Sequence, residues 1–127
     1  MSKQAIRTGR APAAIGPYSQ AIVSGGVLYC SGQIGLDPAT GNLVAGGFEA
    51  EARQVLANLG AVADAAGMTL ADAVRLTVYV VDLADFPKLN EIFTSVLSEP
   101  YPARATVEVS ALPRGARVEI DMVAARD

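Results

Sequence analysis

The chain has 127 residues, of which 51% are hydrophobic and 18% charged, with a formal net charge of −3, one cysteine and no histidine. That is one domain's length with ample apolar surface for a core, and an acidic balance with scattered cations disfavours nucleic acid as a partner. Ser/His/Asp and Cys/His mechanisms are excluded, Cys30 has no partner for an intramolecular disulfide, and no zinc- or iron-type ligand cluster can be assembled, so no metal is expected.

No apolar run approaches the roughly 20 residues that span a bilayer. Met1 to Ala5 lacks the apolar stretch of a secretory signal, so a cytoplasmic location is expected. Residues 1–127 read as a single domain without repeats or linkers.

In chain order, Ser19 to Val23 and Val27 to Ile34 are β-prone runs around Gly25-Gly26, a hairpin signal. Asp37-Pro38-Ala39-Thr40-Gly41-Asn42 is turn chemistry. From Phe48 to Ala66 the apolar residues Phe48, Ala52, Val55, Leu56, Leu59, Val62, Ala63 and Ala66 form the stripe of an amphipathic helix. Gly67 should end it, and Thr69-Leu70-Ala71-Asp72 resembles a capping box. Val74, Leu76, Val78 and Val80 alternate with Arg75, Thr77 and Tyr79 in the next strand. Asp85 then caps a helix with Pro87 in its first turn and Phe86, Leu89, Phe93, Val96 and Leu97 on its buried face.

Two strands close the chain, 104–110 and 117–123, read as a hairpin. Ala105, Val107 and Val109 alternate with Arg104, Thr106 and Glu108, and Val118, Ile120 and Met122 with Glu119 and Asp121. This phasing assigns Arg104, Thr106 and Glu119 to one polar face, where a planar cation could hold a carboxylate and a carboxylate could hold a water. The order strand, strand, helix, strand, helix, strand, strand gives an α+β fold with both helices on one sheet face. The other face would carry Tyr29, Ser31, Gln33, Arg75, Thr77, Tyr79, Arg104, Thr106, Glu119 and Val123. That mixture suits neither a helical layer nor water, so a homo-oligomer with clefts between subunits is expected.

Ile15-Gly16-Pro17-Tyr18-Ser19-Gln20-Ala21, Ser31-Gly32-Gln33-Ile34 with Asp37-Pro38-Ala39-Thr40-Gly41, Tyr101-Pro102-Ala103-Arg104-Ala105-Thr106-Val107-Glu108-Val109 and Val118-Glu119-Ile120-Asp121 closely resemble the RidA/YjgF family of reactive-intermediate deaminases. The resemblance runs through the whole chain in order. It implies a chorismate-mutase-like mixed β-sheet with two helices packed on one face, arranged as a homotrimer with sites at the subunit interfaces.

It also implies cofactor-independent hydrolysis of 2-imino acids such as 2-iminobutanoate and 2-iminopropanoate to 2-oxo acids and ammonia. Arg104 would pair with the substrate carboxylate, which a guanidinium fork holds bidentately and a lysine does not. Glu119, with backbone at Thr106, would hold the attacking water. Tyr18, Ser31, Gly32 and Asn90 would line the same pocket. Many bacterial relatives carry a cysteine where this chain has Thr106, a change expected to tune the site without abolishing it.

Read without the resemblance, Arg104 is a surface or interface salt-bridge arginine and Glu119 an exposed strand residue, with Asp121 its nearest competitor. Cys30 reads as a small core residue. Two alternatives stay open: a non-catalytic small-carboxylate-binding regulatory trimer, and an endoribonuclease or translation inhibitor, which the acidic balance and lack of histidine disfavour.

Overall fold

The structure, a computed structural model, describes residues 2–127. Its elements are β1 (Gln4–Ile6), β2 (Ala21–Ser24), β3 (Val27–Ile34), α1 (Gly47–Ala65), β4 (Ala73–Val80), α2 (Phe86–Val96), β5 (Ala103–Glu108) and β6 (Val118–Ala125), with single 3-10 turns at Leu70–Asp72, Leu83–Asp85 and Pro113–Gly115. The six strands form one mixed sheet in the order β1-β2-β3-β6-β4-β5, in which β4 and β5 are parallel and the other pairs antiparallel. The α+β reading therefore holds, with the short β1 added at one edge. No helix among the described residues is long and apolar enough to cross a membrane.

Helix α1 forms where its apolar stripe demands it, and Phe48, Ala52, Val55, Leu56, Leu59, Val62 and Ala63 are all buried. It closes as its sequence foretells. Gly67 adopts φ 75°, which lets its N–H donate to Asp64 O and the Met68 N–H donate to Ala63 O, each at 2.9 Å. These are the closing bonds of a glycine-terminated helix. The Thr69 box is also present, with Thr69 Oγ1 accepting from Ala71 N and Asp72 Oδ2 from Thr69 N.

Helix α2 departs from expectation in two ways. Pro87 is in its first turn, but Asp85 makes no side-chain cap; Asp82 accepts from Ala84 N at 2.9 Å and caps the preceding 3-10 turn. Its buried residues are Leu89, Ile92 and Phe93, with Leu97 just beyond, while Phe86 and Val96 stay exposed. Two interruptions of strand pairing also shift the alternation. Between β4 and β6 the register slips after Ala73, so Ala73 takes the core position and Val74 bulges out, 48% exposed. Between β3 and β6, Cys30 pairs with Met122 but Gln33 with Ile120, so Ser31 and Gly32 together oppose Asp121. Gln33 is thereby turned from the open face to the buried side. Cys30 is buried in the core, and burial, with the charge of Asp121 second, pushes its thiol up to about 12, which leaves it inert.

The expected hairpin between the last two strands does not form. The parallel crossover through α2 puts β5 outside β4, and the segment after β5 carries β6 back past β4 to lie between β4 and β3. What holds the start of β6 is a buried carboxylate. Glu51 on α1 is 0% exposed; its Oε1 accepts from Arg117 N and its Oε2 from Arg117 Nη1, both at 2.7 Å. Gly35, at the end of β3, lies so close to this turn of α1 that a Cβ there would meet the Glu51 Cα and O at 2.9 Å.

Removal of this carboxylate leaves a backbone N–H and a guanidinium without their charged acceptor. Glu51→Ala is expected to lose about 3 kcal/mol of stability in urea unfolding, whereas Arg53→Ala, which removes an exposed ion pair with Glu49, should change it by less than about 1 kcal/mol.

Candidate functional site

The residues singled out by sequence fall into two groups on opposite faces of the sheet. Leu76 is the register partner of Arg104 and Val78 of Thr106, and both partners are buried beneath the helices. Arg104 and Thr106 therefore point to the helix side. Glu119 pairs with Tyr79, and Thr77 with Asp121, on the open side. The expectation that Arg104, Thr106 and Glu119 share one face of a single chain is overturned. It assumed a hairpin, and with β4 between the two strands the phase of β5 is set by β4 and α2.

The first group is organised by α2. Arg104 Nη1 donates to Asn90 Oδ1 at 2.9 Å, and the guanidinium carbon lies 5.1 Å from the Phe86 ring centroid and 5.4 Å from that of Phe93. Two aromatic faces and one amide thus fix a planar cation. It has no carboxylate partner among the described residues; it is still exposed on one side, and its partial burial lowers its pKa from the usual arginine value. A cavity of about 420 Å³ lies against it, walled by Leu76, Phe93, Leu97, Tyr101 and Pro102. Thr106 follows on the same strand, its Oγ1 buried without a hydrogen-bond partner. Because β5 is the sheet's edge strand, one side of its backbone is left unpaired within the chain.

The second group surrounds a cavity of about 530 Å³ lined by Tyr18, Ser31, Gly32 and Glu119, joined by Ile15 and Arg114. The bulge at Ser31 and Gly32 shapes it, as bulges beside functional sites do. Glu119 lies over Gly32 so closely that a Cβ at that glycine would be 2.0 Å from its Oε2. Burial first, and the neighbouring charge of Asp121 second, raise the Glu119 carboxyl above the ordinary glutamate range. Ser31 Oγ donates to Ser19 O at 2.6 Å and so ties down the loop that carries Tyr18. Tyr18 Oη accepts from Ile15 N at 3.3 Å and remains exposed.

The sequence reading missed several contributors. Gln20 is buried, and its amide accepts from Thr8 N and donates to the carbonyls of Thr8, Ala11 and Pro12, fastening the N-terminal segment beneath the second cavity. Phe93 is buried as its place on the apolar stripe predicts and Phe86 is exposed, but the sequence reading gave neither ring a part at Arg104, which they flank; the signal was their spacing about Asn90 on one helix. Arg114 adopts φ 62°, uncommon for a residue with a side chain, and no local pattern announced it. No group of three or more His, Cys, Asp and Glu side chains among the described residues could hold a metal ion.

Comparison with known proteins gives one consistent picture. The family model described as Endoribonuclease L-PSP matches residues 8–126. The human protein named 2-iminobutanoate/2-iminopropanoate deaminase is 47% identical over 122 residues, covering 96% of this chain and 89% of that protein. The crystal structure of RidA from the Antarctic bacterium Psychrobacter sp. PAMC 21119 superposes with a TM-score of 0.94 at 51% identity, over 97% of this chain and 99% of that one. E. coli TdcF, solved with bound serine, superposes with a TM-score of 0.91 at 37% identity, over 98% and 99% of the two chains.

The raised Glu119 carboxyl carries a stability signature. Burial and Asp121 disfavour its ionised form in the folded state, so the folded protein loses stability as pH rises from the ordinary glutamate value of about 4.3 through the raised one. Glu119→Gln is expected to melt higher than the wild type at neutral pH. The difference should close as pH falls below the ordinary glutamate value, where Glu119 is protonated in both states, and thermal melts across pH 3–8 would read it.

Proposed function

The chain belongs to the RidA/YjgF family, and from that membership and the two half-sites we propose that it is a cofactor-independent deaminase of 2-imino acids, with each active site assembled from two copies in a homotrimer. The observation that carries this reading is the separation of a fixed, uncompensated guanidinium from a desolvated carboxylate by the thickness of the sheet. Neither half is a site alone, and a neighbouring copy can supply the other. The open face supports self-association: it carries Tyr29 and Val107, 51% and 42% exposed. The names of the human and Psychrobacter relatives support the reaction, and serine bound to TdcF supports a small amino-acid-like ligand.

The substrate is the protonated imine of a 2-oxo acid. Arg104 of one copy grips its carboxylate bidentately, with Asn90 and the two rings holding the fork in place. Glu119 of the adjoining copy holds a water against C2, with Gly32 giving the close approach and backbone at Thr106 completing the water's bonds. As the water oxygen bonds to C2, Glu119 takes one of its protons and a carbinolamine forms. Glu119 returns that proton to the nitrogen, the C–N bond breaks as the hydroxyl oxygen forms the carbonyl, and the hydroxyl proton passes to the departing ammonia, giving the 2-oxo acid and ammonium. Tyr18 and Ser31 shape the wall beside C2. A carboxyl raised toward neutrality is suited to this two-way transfer, worth about 10²- to 10⁴-fold.

The endoribonuclease reading rests on the family model's description. It finds little support in a chain of net charge −3 whose cations Arg10, Arg53, Lys88, Arg117 and Arg126 are engaged by its own carboxylates. A regulatory trimer that binds small carboxylates without turnover is the reading left if hydrolysis fails.

The decisive test follows hydrolysis of imines generated in situ by an amino-acid oxidase, with semicarbazide trapping what remains. Arg104→Ala and Glu119→Gln should each lose 10²-fold or more, and Arg104→Lys should recover little. After the two inactive proteins are unfolded together and reassembled in equal amounts, roughly a quarter of wild-type activity should return, because one interface in four then pairs an intact Arg104 with an intact Glu119. No recovery in a correctly reassembled trimer would place both residues' roles within one copy. No hydrolysis by the wild type would leave the binding trimer.

A further inference from the structure

Strand β6 presents two carboxylates to the open face, Glu119 and Asp121, one side-chain repeat apart. Their surroundings differ. Glu119 is folded against Gly32, whereas Asp121 is held by β4: the Tyr79 phenol, directly across from Glu119 in register, reaches diagonally to donate to Asp121 Oδ2 at 3.0 Å. Such diagonal contacts are within an aromatic side chain's reach. Asp121 is also the residue opposite the Ser31 and Gly32 bulge, and it does not line the Glu119 cavity.

We propose that Asp121, fixed by Tyr79, is a positioning residue that strengthens the hold of Glu119 on its proton, beyond what burial does. Its fixed negative charge opposes a second one on the same strand face, so Glu119 holds a proton more tightly than burial alone would make it do. The phenol keeps that charge in one place, and its own pKa is raised, chiefly by this hydrogen bond, so Tyr79 remains the donor through neutral pH. The other charged or titratable groups around this region are Arg75 on β4, Tyr18 in the N-terminal loop and Arg114 before β6, and on β3 Tyr29, opposite Val123 on the same open face, and the buried Cys30 thiol, which the charge of Asp121 also reaches; Ser31, Gly32 and Ile34 of β3 are uncharged. The inference rests on the reading of Glu119 as the group that takes the water's proton, and it gives the Tyr79 and Asp121 pair a task that touches neither substrate nor water.

The test separates the two readings. Carbon-13 NMR of glutamate-labelled protein in its native oligomer, with the Glu119 resonance assigned by its loss in Glu119→Gln, follows the titration of that carboxyl directly. Asp121→Asn is expected to move the Glu119 midpoint to lower pH, and the acid limb of the imine-hydrolysis rate should move with it. Asp121→Glu, which restores the charge, should bring both back toward wild type. A Glu119 midpoint unchanged in a folded Asp121→Asn protein would overturn the proposal. A midpoint that falls in a protein whose wild type hydrolyses no imine would uphold the coupling and remove the deaminase reading.

Discussion

Everything at the candidate site depends on where β6 begins, and that is decided by Glu51. A carboxylate with no solvent access has to be fully engaged, and Arg117 engages it through both backbone and side chain. This fastens α1 to the residue two positions before Glu119. Gly35 extends the lock to β3 by letting its backbone lie against the same turn of helix. With α1, β3 and β6 joined at one point, the bulge at Ser31 and Gly32 is held opposite Asp121, and the Glu119 carboxylate has one place to lie.

The sheet then acts as a partition. On its helix side Arg104 gains aromatic and amide neighbours from α2 but no opposite charge; on its open side Glu119 gains burial and a like-charged neighbour but no cation within ion-pair distance among the described residues. Neither group has an opposite charge beside it among the described residues of its own copy. Unsatisfied groups of this kind are characteristic of sites where a ligand completes the electrostatics. On the proposed reading, their separation ties function to association between copies, since a substrate with a carboxylate at one end and an imine carbon at the other would bridge them.

The elements themselves were legible because their causes are local. The α1 stripe, its Gly67 stop, the Thr69 box, the Gly25-Gly26 turn and the β-prone runs each depend on residues within a few positions of one another, and each was found where the sequence put it. The identities of Arg104, Glu119, Tyr18, Ser31, Gly32 and Asn90 were legible as candidates for a related reason: short motifs at set spacings keep their residues together whatever the chain does elsewhere.

Pairing was not legible, because a strand's partner is chosen by the whole chain. Alternation gives each strand two faces but does not say which is up, and a one-residue slip exchanges them. The bulges after Ala73 and Cys30 make such slips, turning Val74 outward and Gln33 inward, and the insertion of β6 between β3 and β4 removes the hairpin that would have joined Arg104 to Glu119. The sequence by itself determined the fold class, both helices, five of the six strands and the chemical groups available, since those follow from local periodicity and residue type, whereas the short β1 is a strand only because β2 pairs with it. Only the tertiary structure decided that the guanidinium and the carboxylate face opposite ways, because the face of each strand is set by non-local hydrogen-bond register and by the helices packed against it.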